Sequence, residues 1–320
     1  MIRKFSIPYS TSIEVDNYIN LIDNYYENIE SIYMGIPELT NHISLQYRNK
    51  HTDDNKVYDF LDKIHLKYKR IIVYNSISYN MDDYDLFKLF DEKIYPIIEK
   101  YDIDGMVITS LPLGIKLKRD YPNLELHTSC NSFQWNIRQM DLWREKAGIN
   151  IFNPPREAAK TPSMLKEMYN AGFKLKVLVN EACTYGCPYT INHACSISEG
   201  VSTESICGCN DLANSLRSNL FLPEWLETID EYVYCYKLAG RVSGYNKLKT
   251  TFDSYIHNKP YSYIDEISTY GSNNPILYLL RNNVRIKPSD IPEKTRYCEA
   301  KKCNKTCFVC SNAMSKINPM

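Results

Sequence analysis

The chain lacks a net charge and lacks any long apolar run. Its 320 residues include 38 basic and 38 acidic side chains, so the formal net charge is zero. A neutral total gives no general attraction to nucleic acid or to an anionic membrane. No stretch of about 18 apolar residues occurs, and a transmembrane helix needs such a stretch. The sequence therefore predicts no membrane partner.

A secretory signal is also missing. The chain starts Met-Ile-Arg-Lys, and neither an apolar region nor a small-residue cleavage site follows. This start predicts a cytoplasmic protein. The 11 cysteines are an odd number, and disulfides are rare in a reducing cytosol. In that compartment, clustered cysteines are more often metal ligands or catalytic groups than cross-links.

Several catalytic signatures are absent as well. The chain contains no Gly-x-Gly-x-x-Gly and no P-loop pattern, which excludes the usual phosphate-cradling loops. It contains no Gly-x-Ser-x-Gly and no His-Glu-x-x-His. The common serine hydrolase and zinc protease motifs are therefore excluded.

What the chain does contain is cysteine in two clusters, which together hold nine of the 11. The first has Cys183, Cys187, Cys195, Cys207 and Cys209, and the second has Cys298, Cys303, Cys307 and Cys310. Cysteines spaced a few residues apart, beside turn-forming residues, are typical ligands of zinc and of iron–sulfur clusters. The two clusters predict that the protein binds metal.

The first cluster predicts a [4Fe–4S] cluster, which four cysteine thiolates usually hold. We expect Cys183, Cys187 and one of Cys207 or Cys209 to be ligands. The spacing approaches the Cys-x3-Cys-x2-Cys pattern of radical S-adenosylmethionine enzymes. The third position of that pattern is Thr190 here, which argues against a standard radical enzyme.

The fourth ligand is left open by the sequence. Cys195 or Cys235 could supply it, unless substrate fills that position. Alternatively, both are core cysteines, because cysteine is among the most frequently buried residue types. Cys235 lies within an apolar stretch, which favours the core reading, whereas Cys130 lies at a predicted strand end and fits either role.

The second cluster places four cysteines within thirteen residues, flanked by lysines and an arginine. Four thiolates at this spacing can close one tetrahedral site. The interpretations are a structural zinc site and a second iron–sulfur cluster, and spacing does not separate them.

Apolar runs of strand length alternate with helix-period segments along the chain, which indicates repeated βα units and a parallel sheet. The predicted strands are residues 5–9, 31–36, 70–76, 105–110, 124–129, 149–152, 174–179 and 232–238. The predicted helices are residues 13–26, 84–101, 133–147, 163–171 and 248–256. Eight strands favour an α/β fold of the (β/α)8 TIM-like barrel type over an open doubly wound sheet. We expect the barrel to span residues 1–260, and a helical extension with the four-cysteine appendage to span 261–320.

Active sites of such barrels lie at the carboxyl ends of the strands. Four charged residues follow predicted strand ends: Arg156, Glu157, Glu181 and Arg241. The arginines suit anion binding, and Glu181 suits a role as acid or base. The alternatives are ordinary ion pairs, for example between Glu181 and Arg241.

Several segments together resemble the collagenase-like peptidase family U32. They are the strand ending in His127-Thr-Ser129, the Arg156-Glu157 pair, Glu181-Ala-Cys183, and Lys237-Leu-Ala-Gly-Arg241. The resemblance covers roughly residues 1 to 260 and implies a barrel with a four-cysteine iron–sulfur cluster. The usual cysteine loop of the family reads Gly-x-x-Cys-x6-Cys, whereas the spacing here is x3, so we expect a divergent member.

The resemblance implies an iron–sulfur-dependent redox or hydroxylating enzyme that acts on an RNA base or a small metabolite. The alternatives are a U32-type peptidase or hydrolase, and a non-catalytic metal-bound subunit that forms a heterodimer with a related chain. In the first case we expect Glu181, Glu157, Arg156 and Arg241 to serve the reaction, with a [4Fe–4S] cluster at the mouth.

Overall fold

The computed structural model describes residues 2–42, 54–77, 82–199, 213–269, 275–297 and 307–317. Four of the cysteines predicted to bind metal lie outside these ranges: Cys207, Cys209, Cys298 and Cys303.

Eight parallel strands close into a barrel, in which each strand pairs with its sequence neighbours and β1 pairs with β8. The strands are β1 Phe5–Pro8, β2 Ile29–Met34, β3 Arg70–Tyr74, β4 Gly105–Ile108, β5 Glu125–Thr128, β6 Ile151–Phe152, β7 Lys174–Leu178 and β8 Cys235–Lys237. The predicted (β/α)8 barrel is confirmed, and the open sheet is wrong because β1 and β8 are hydrogen-bonded partners.

Helices follow the strands on the outside of the barrel. Those described are α1 Val15–Asp23, α2 Pro37–His42, α3 Asp54–Lys63, α4 Asp83–Leu89, α5 Tyr95–Lys100, α6 Leu111–Asp120, α7 Ile137–Ala147, α8 Pro162–Asn170, α9 Thr190–Ser198, α10 Ala213–Leu216, α11 Tyr245–His257, α12 Pro275–Arg281 and α13 Val309–Ile317. A π-helical turn, Phe90–Ile94, joins α4 to α5, so the predicted helix 84–101 is one continuous segment with a local change of pitch.

Most of the apolar core lies between the barrel wall and these helices. On β3, for example, Ile72 and Tyr74 pack into this large outer cluster. The alternate residues Ile71 and Val73 belong instead to a small separate cluster with Tyr33 of β2 and Val107 of β4. Because side chains alternate between the two faces of a strand, this small cluster fills part of the barrel interior.

The rest of the interior is polar and charged. Lys176 of β7 is 1% exposed; its Nζ lies 2.6 Å from a Glu30 carboxylate oxygen and donates to the Ser31 hydroxyl at 3.2 Å. Lys69 contacts Glu30 at 3.2 Å and Glu125 at 2.6 Å. Buried charges need partners of opposite sign, and Lys176, Lys69, Glu30 and Glu125 provide such partners for one another.

Residues beyond 260 pack back onto the barrel. The backbone N–H of Thr269 donates to the Asn180 carbonyl oxygen at 2.8 Å, and Arg217 donates to the Ser311 hydroxyl at 3.0 Å. The proposed division at residue 260 stays a prediction. None of the described helices has the length and apolar character needed to cross a membrane.

Candidate functional site at the barrel mouth

The carboxyl ends of β5 to β8 bring the predicted site residues Arg156 and Glu181 together with Asn131, which was not predicted as a site residue. Asn131 follows β5, Arg156 follows β6, Glu181 follows β7, and Lys237 ends β8. They meet because the strands are parallel, so their carboxyl ends share one rim of the barrel.

Arg156 and Glu181 form an ion pair at the centre of this rim. The Arg156 Nε donates to Glu181 Oε2 at 2.8 Å, and its Nη2 donates to Asn131 Oδ1 at 2.7 Å. The Asn131 amide donates in turn to the Asn75 carbonyl oxygen at 3.1 Å. Asn131 therefore links the ends of β3 and β6, and it orients the guanidinium toward Glu181.

The surroundings of Arg156 favour its charged form. Burial acts to lower the pKa of Arg156, but the charge of Glu181, together with smaller effects of Cys130, Cys183 and Glu157, outweighs it and raises that pKa. The Arg156 and Glu181 side chains are 13% and 19% exposed. Since two of its donors are already engaged, Arg156 is better placed to orient Glu181 than to be the main anion-binding group. Its predicted role toward substrate stays a prediction.

Glu157 sits in a different environment. It is 6% exposed, and burial raises the pKa of its carboxyl, although the backbone amides of Glu157 and Gly186 act in the opposite direction. The carboxyl thus lies against the cysteine loop, here defined as residues 183–187. From this position Glu157 can stabilise the cysteine loop. The predicted catalytic role of Glu157 stays a prediction.

The cysteine loop leaves the end of β7 beside Glu181. The Cys183 thiol donates to Glu181 Oε1 at 3.3 Å. The loop is held by two backbone hydrogen bonds: Tyr185 donates to the Arg217 carbonyl, and Asn219 donates to the Cys183 carbonyl, both at 2.7 Å. The first predicted metal ligand is therefore in direct contact with the predicted acid–base residue.

The remaining described cysteines of this region lie nearby in sequence and are partly accessible. Cys187 caps the turn into α9, where its carbonyl oxygen accepts from Thr190, and Cys195 lies on α9. The side chains of Cys183, Cys187 and Cys195 are all partly exposed. Their soft sulfur donors match the chemistry of an iron–sulfur cluster.

Across the described ranges, His, Cys, Asp and Glu side chains form no group of three or more that could hold a metal ion. A complete set from the first cluster needs Cys207 or Cys209, which lie outside those ranges. In the second cluster, Cys307 is partly exposed and Cys310 is buried. Metal binding at either cluster stays a prediction.

The two cysteines outside the clusters differ from each other. Cys235 is 1% exposed within β8, and burial raises the pKa of its thiol, as is typical of a core cysteine. Cys130 is partly exposed at the end of β5, where its thiol faces Asn131. The core interpretation of Cys235 fits the structure better than the ligand interpretation.

Two positioning residues were not predicted as site residues. Asn131 is described above, and Asn180 is fully buried between the ends of β7 and β8. The Asn180 side chain donates to the Ala239 carbonyl at 3.0 Å and accepts from the Ala239 N–H at 2.7 Å. Asn131 and Asn180 both follow predicted strand ends. A polar residue just after an apolar strand is therefore the sequence feature that could have identified them.

Comparison with known proteins agrees with this architecture. The chain is 22% identical over 245 residues to an uncharacterized protease of Methanocaldococcus jannaschii, a match that covers 71% of this chain and 72% of that protein. No family model matches the chain.

Among solved structures, a U32 peptidase superposes with a TM-score of 0.55 and 13% identity, covering 76% of this chain and 95% of that one. At this identity the likeness shows the fold alone. An enolase-superfamily protein from Listeria innocua matches with a TM-score of 0.35 and 14% identity, over 62% of this chain and 49% of that one. That score supports no further conclusion. The resemblance to the U32 peptidases is confirmed.

Proposed function

We propose that this chain, a divergent relative of the U32 peptidases, is an iron–sulfur enzyme that acts on a small metabolite or an RNA base bound at the barrel mouth. The observation that carries the proposal is the contact between Glu181 and Cys183. One carboxylate accepts from the Cys183 thiol at 3.3 Å and from the Arg156 guanidinium at 2.8 Å. Such a contact couples a candidate acid–base group to a candidate metal ligand.

Cys183 and Cys187 are the proposed first ligands, completed by one of Cys207 or Cys209 and by Cys195 or substrate. When bound, a cluster of this kind supplies electron transfer or an open iron site. The partial exposure of Cys183 and Cys187 and their place at the mouth support the assignment, since soft thiolate donors select such clusters.

The protein groups have separable roles in this proposal. Glu181 is the proposed acid–base group, because one of its carboxylate oxygens accepts from the Cys183 thiol. Arg156 orients that carboxylate, and Asn131 fixes the guanidinium. Arg241, which follows β8, is the group proposed to bind an anionic part of the substrate.

Three exposed aromatic rings support the proposal that the substrate is planar. Trp135 follows β5, Tyr189 follows β7, and Tyr245 begins α11 after β8; they are 44%, 47% and 40% exposed. Trp135 and Tyr189 lie on loops and Tyr245 is the first residue of a helix, all in segments that follow the carboxyl ends of strands. Exposed aromatic rings of this kind stack on nucleobases and other planar compounds.

The test is the iron and sulfide content of protein purified without oxygen, as wild type, Cys183→Ala and Cys187→Ala. We expect about four iron and four sulfide per wild-type chain, and less than about one iron in either variant. Cys235→Ala is the matched control, because Cys235 is buried in β8 and should not alter the iron content. Zinc without sulfide in the wild type would reject the iron–sulfur proposal.

A second candidate is a peptidase, favoured by the names of the relatives, which are a protease and a U32 peptidase. Its test is cleavage of denatured casein by iron-free protein, compared between the wild type and Glu181→Gln. Cleavage that persists without iron and is lost in Glu181→Gln would favour hydrolysis. No cleavage with or without iron would leave the redox proposal as the better account.

A further inference from the structure

Lys237 is a second chemically distinct group at the mouth. It is the last residue of β8, and β8 pairs with both β1 and β7. Its Nζ lies 4.5 Å from the centre of the Tyr33 ring. The Tyr33 hydroxyl donates to the Leu238 carbonyl at 2.7 Å, so this ring is held in place beneath the amine.

The surroundings of Lys237 contrast with those of Lys176, the lysine on the neighbouring strand. Lys176 lies 2.6 Å from a Glu30 carboxylate oxygen. Within the described part of the chain, Lys237 makes no ion pair with any carboxylate, and its recorded contact is the face of an aromatic ring. A lysine held in a mouth without a counter-ion is poorly stabilised in its charged form.

Burial and two neighbouring cations act together on Lys237. The pKa of its amine is lowered to about 8, mainly by burial and also by the charges of Lys176 and Arg241, whereas Cys130 and Cys235 act in the opposite direction. At pH 7.5 about one quarter of such an amine is neutral, against about one in a thousand for an ordinary lysine. A desolvated lysine beside other cations is a recognised route to a nucleophilic amine.

We propose that Lys237 is the amine of a carbonyl-binding site, where its Nζ forms an imine with a small aldehyde or ketone that bears a carboxylate. The neutral amine adds to the carbonyl carbon and gives a carbinolamine. That intermediate loses its oxygen as water, which takes up both protons of the amine nitrogen. The imine then gains one proton to become an iminium ion.

The carboxylate in the proposed ligand follows from the local charge. Of the four groups that act on Lys237, two are thiols, one is Lys176, whose charge Glu30 balances, and one is the cation Arg241. A negatively charged carbonyl compound is attracted to such a site, whereas a cationic one is repelled. The class that fits is a small 2-oxo acid. This site requires no iron, so it goes beyond the function proposed above.

The probe is glyoxylate, which carries one aldehyde and one carboxylate, trapped with cyanoborohydride at pH 7.5. Peptide mass mapping then measures the carboxymethylated fraction of each lysine. Lys174 is the internal control: its Nζ also lies beside a ring, 5.3 Å from the centre of Tyr234, but it is exposed at the start of β7. We expect labelling of Lys237 at least about tenfold faster than of Lys174, because of the larger neutral fraction.

The same ratio should hold in iron-free protein, which separates this site from the proposed cluster. Lys237→Arg, which keeps the charge but cannot form an imine, should remove the fast-labelled peptide and leave Lys174 labelling unchanged. Labelling of Lys237 at the rate of Lys174 or slower, in wild-type protein of confirmed fold, would overturn the proposal.

Discussion

The Arg156–Glu181 pair shows how one residue acquires its role from distant partners. Arg156 follows β6, yet its two recorded hydrogen-bond partners come from the ends of β5 and β7. Burial of a guanidinium is costly unless its donors are satisfied and its charge is balanced. Glu181 and Asn131 together meet both requirements.

This arrangement predicts strong energetic coupling between Arg156 and Glu181. Each of Glu181→Gln and Arg156→Met should lower the free energy of unfolding by about 2–4 kcal/mol, because each leaves a buried polar group without its charged partner. The double variant should cost about 2 kcal/mol less than the sum of the two. Urea unfolding of the four proteins measures this coupling.

The control is the Arg3–Asp230 pair, in which Arg3 contacts both carboxylate oxygens but the side chains are 24% and 39% exposed. Arg3→Met should cost no more than about 1 kcal/mol, because solvent screens such pairs. Equal costs for Arg3→Met and Arg156→Met would show that the mouth pair is not specially stabilised by its burial.

At this scale, sequence reasoning identified the residues but not their partners. Arg156, Glu157 and Glu181 were predicted from their places after strands, and the structure puts them there. The Asn131 contact with Arg156 spans 25 residues. This contact depends on the stagger of β5 against β6. A polar residue that follows a strand in the sequence does not reveal that stagger.

At the scale of elements, the cysteine loop depends on one glycine. Gly186 lies between Cys183 and Cys187 with a φ of +63°, a conformation that costs residues with a Cβ about 1–2 kcal/mol. A Cβ added there would meet no atom within 4 Å. A substitution would therefore act through the backbone of the loop and not through a clash.

Gly186→Ala should lower the unfolding free energy by about 1 kcal/mol and also reduce the iron retained per chain after anaerobic purification. Gly172→Ala is a closely matched control, since Gly172 has a φ of +82° and equally open surroundings but ends α8. It should lose similar stability and keep its iron. Equal iron content in the two variants would show that the conformation of the loop at Gly186 does not affect metal binding.

The elements themselves were largely predictable, with informative exceptions. All eight strands lie within two or three residues of their predicted bounds, because buried parallel strands give unbroken apolar runs. β2 begins at Ile29 and not at residue 31. The predicted strand started too late because Glu30 is charged, whereas inside the barrel its carboxylate pairs with Lys176. α6 was missed because Pro112 and Gly114 interrupt its helical pattern.

At the scale of the whole molecule, the barrel interior is a charged network that responds to pH. His127 of β5 is fully buried and contacts the Glu125 carboxylate. Burial lowers the pKa of His127 to about 4, the charge of Lys176 acts the same way, and Glu125 opposes both. At neutral pH the imidazole is therefore neutral and donates one N–H to Glu125.

This network predicts a loss of stability in mild acid. The pKa of His127 is near 6.5 when unfolded and about 4 when folded, so the unfolded chain binds the proton first. The contribution of neutral His127 to the free energy of unfolding is complete above about pH 6.5 and falls as the pH drops toward about 4. Between pH 7.5 and 5 the unfolding free energy should decrease by about 2 kcal/mol.

His127→Gln keeps a donor for Glu125 but cannot titrate, so its unfolding free energy should change by less than about 0.5 kcal/mol over the same range. The carboxylates with lowered pKa, such as Glu125 at about 2, contribute mainly below pH 4.5 and leave this window clear. Urea unfolding at pH 7.5, 6 and 5 measures both slopes. Equal slopes in the wild type and His127→Gln would mean that another group controls acid stability, and that the barrel interior tolerates a charged His127.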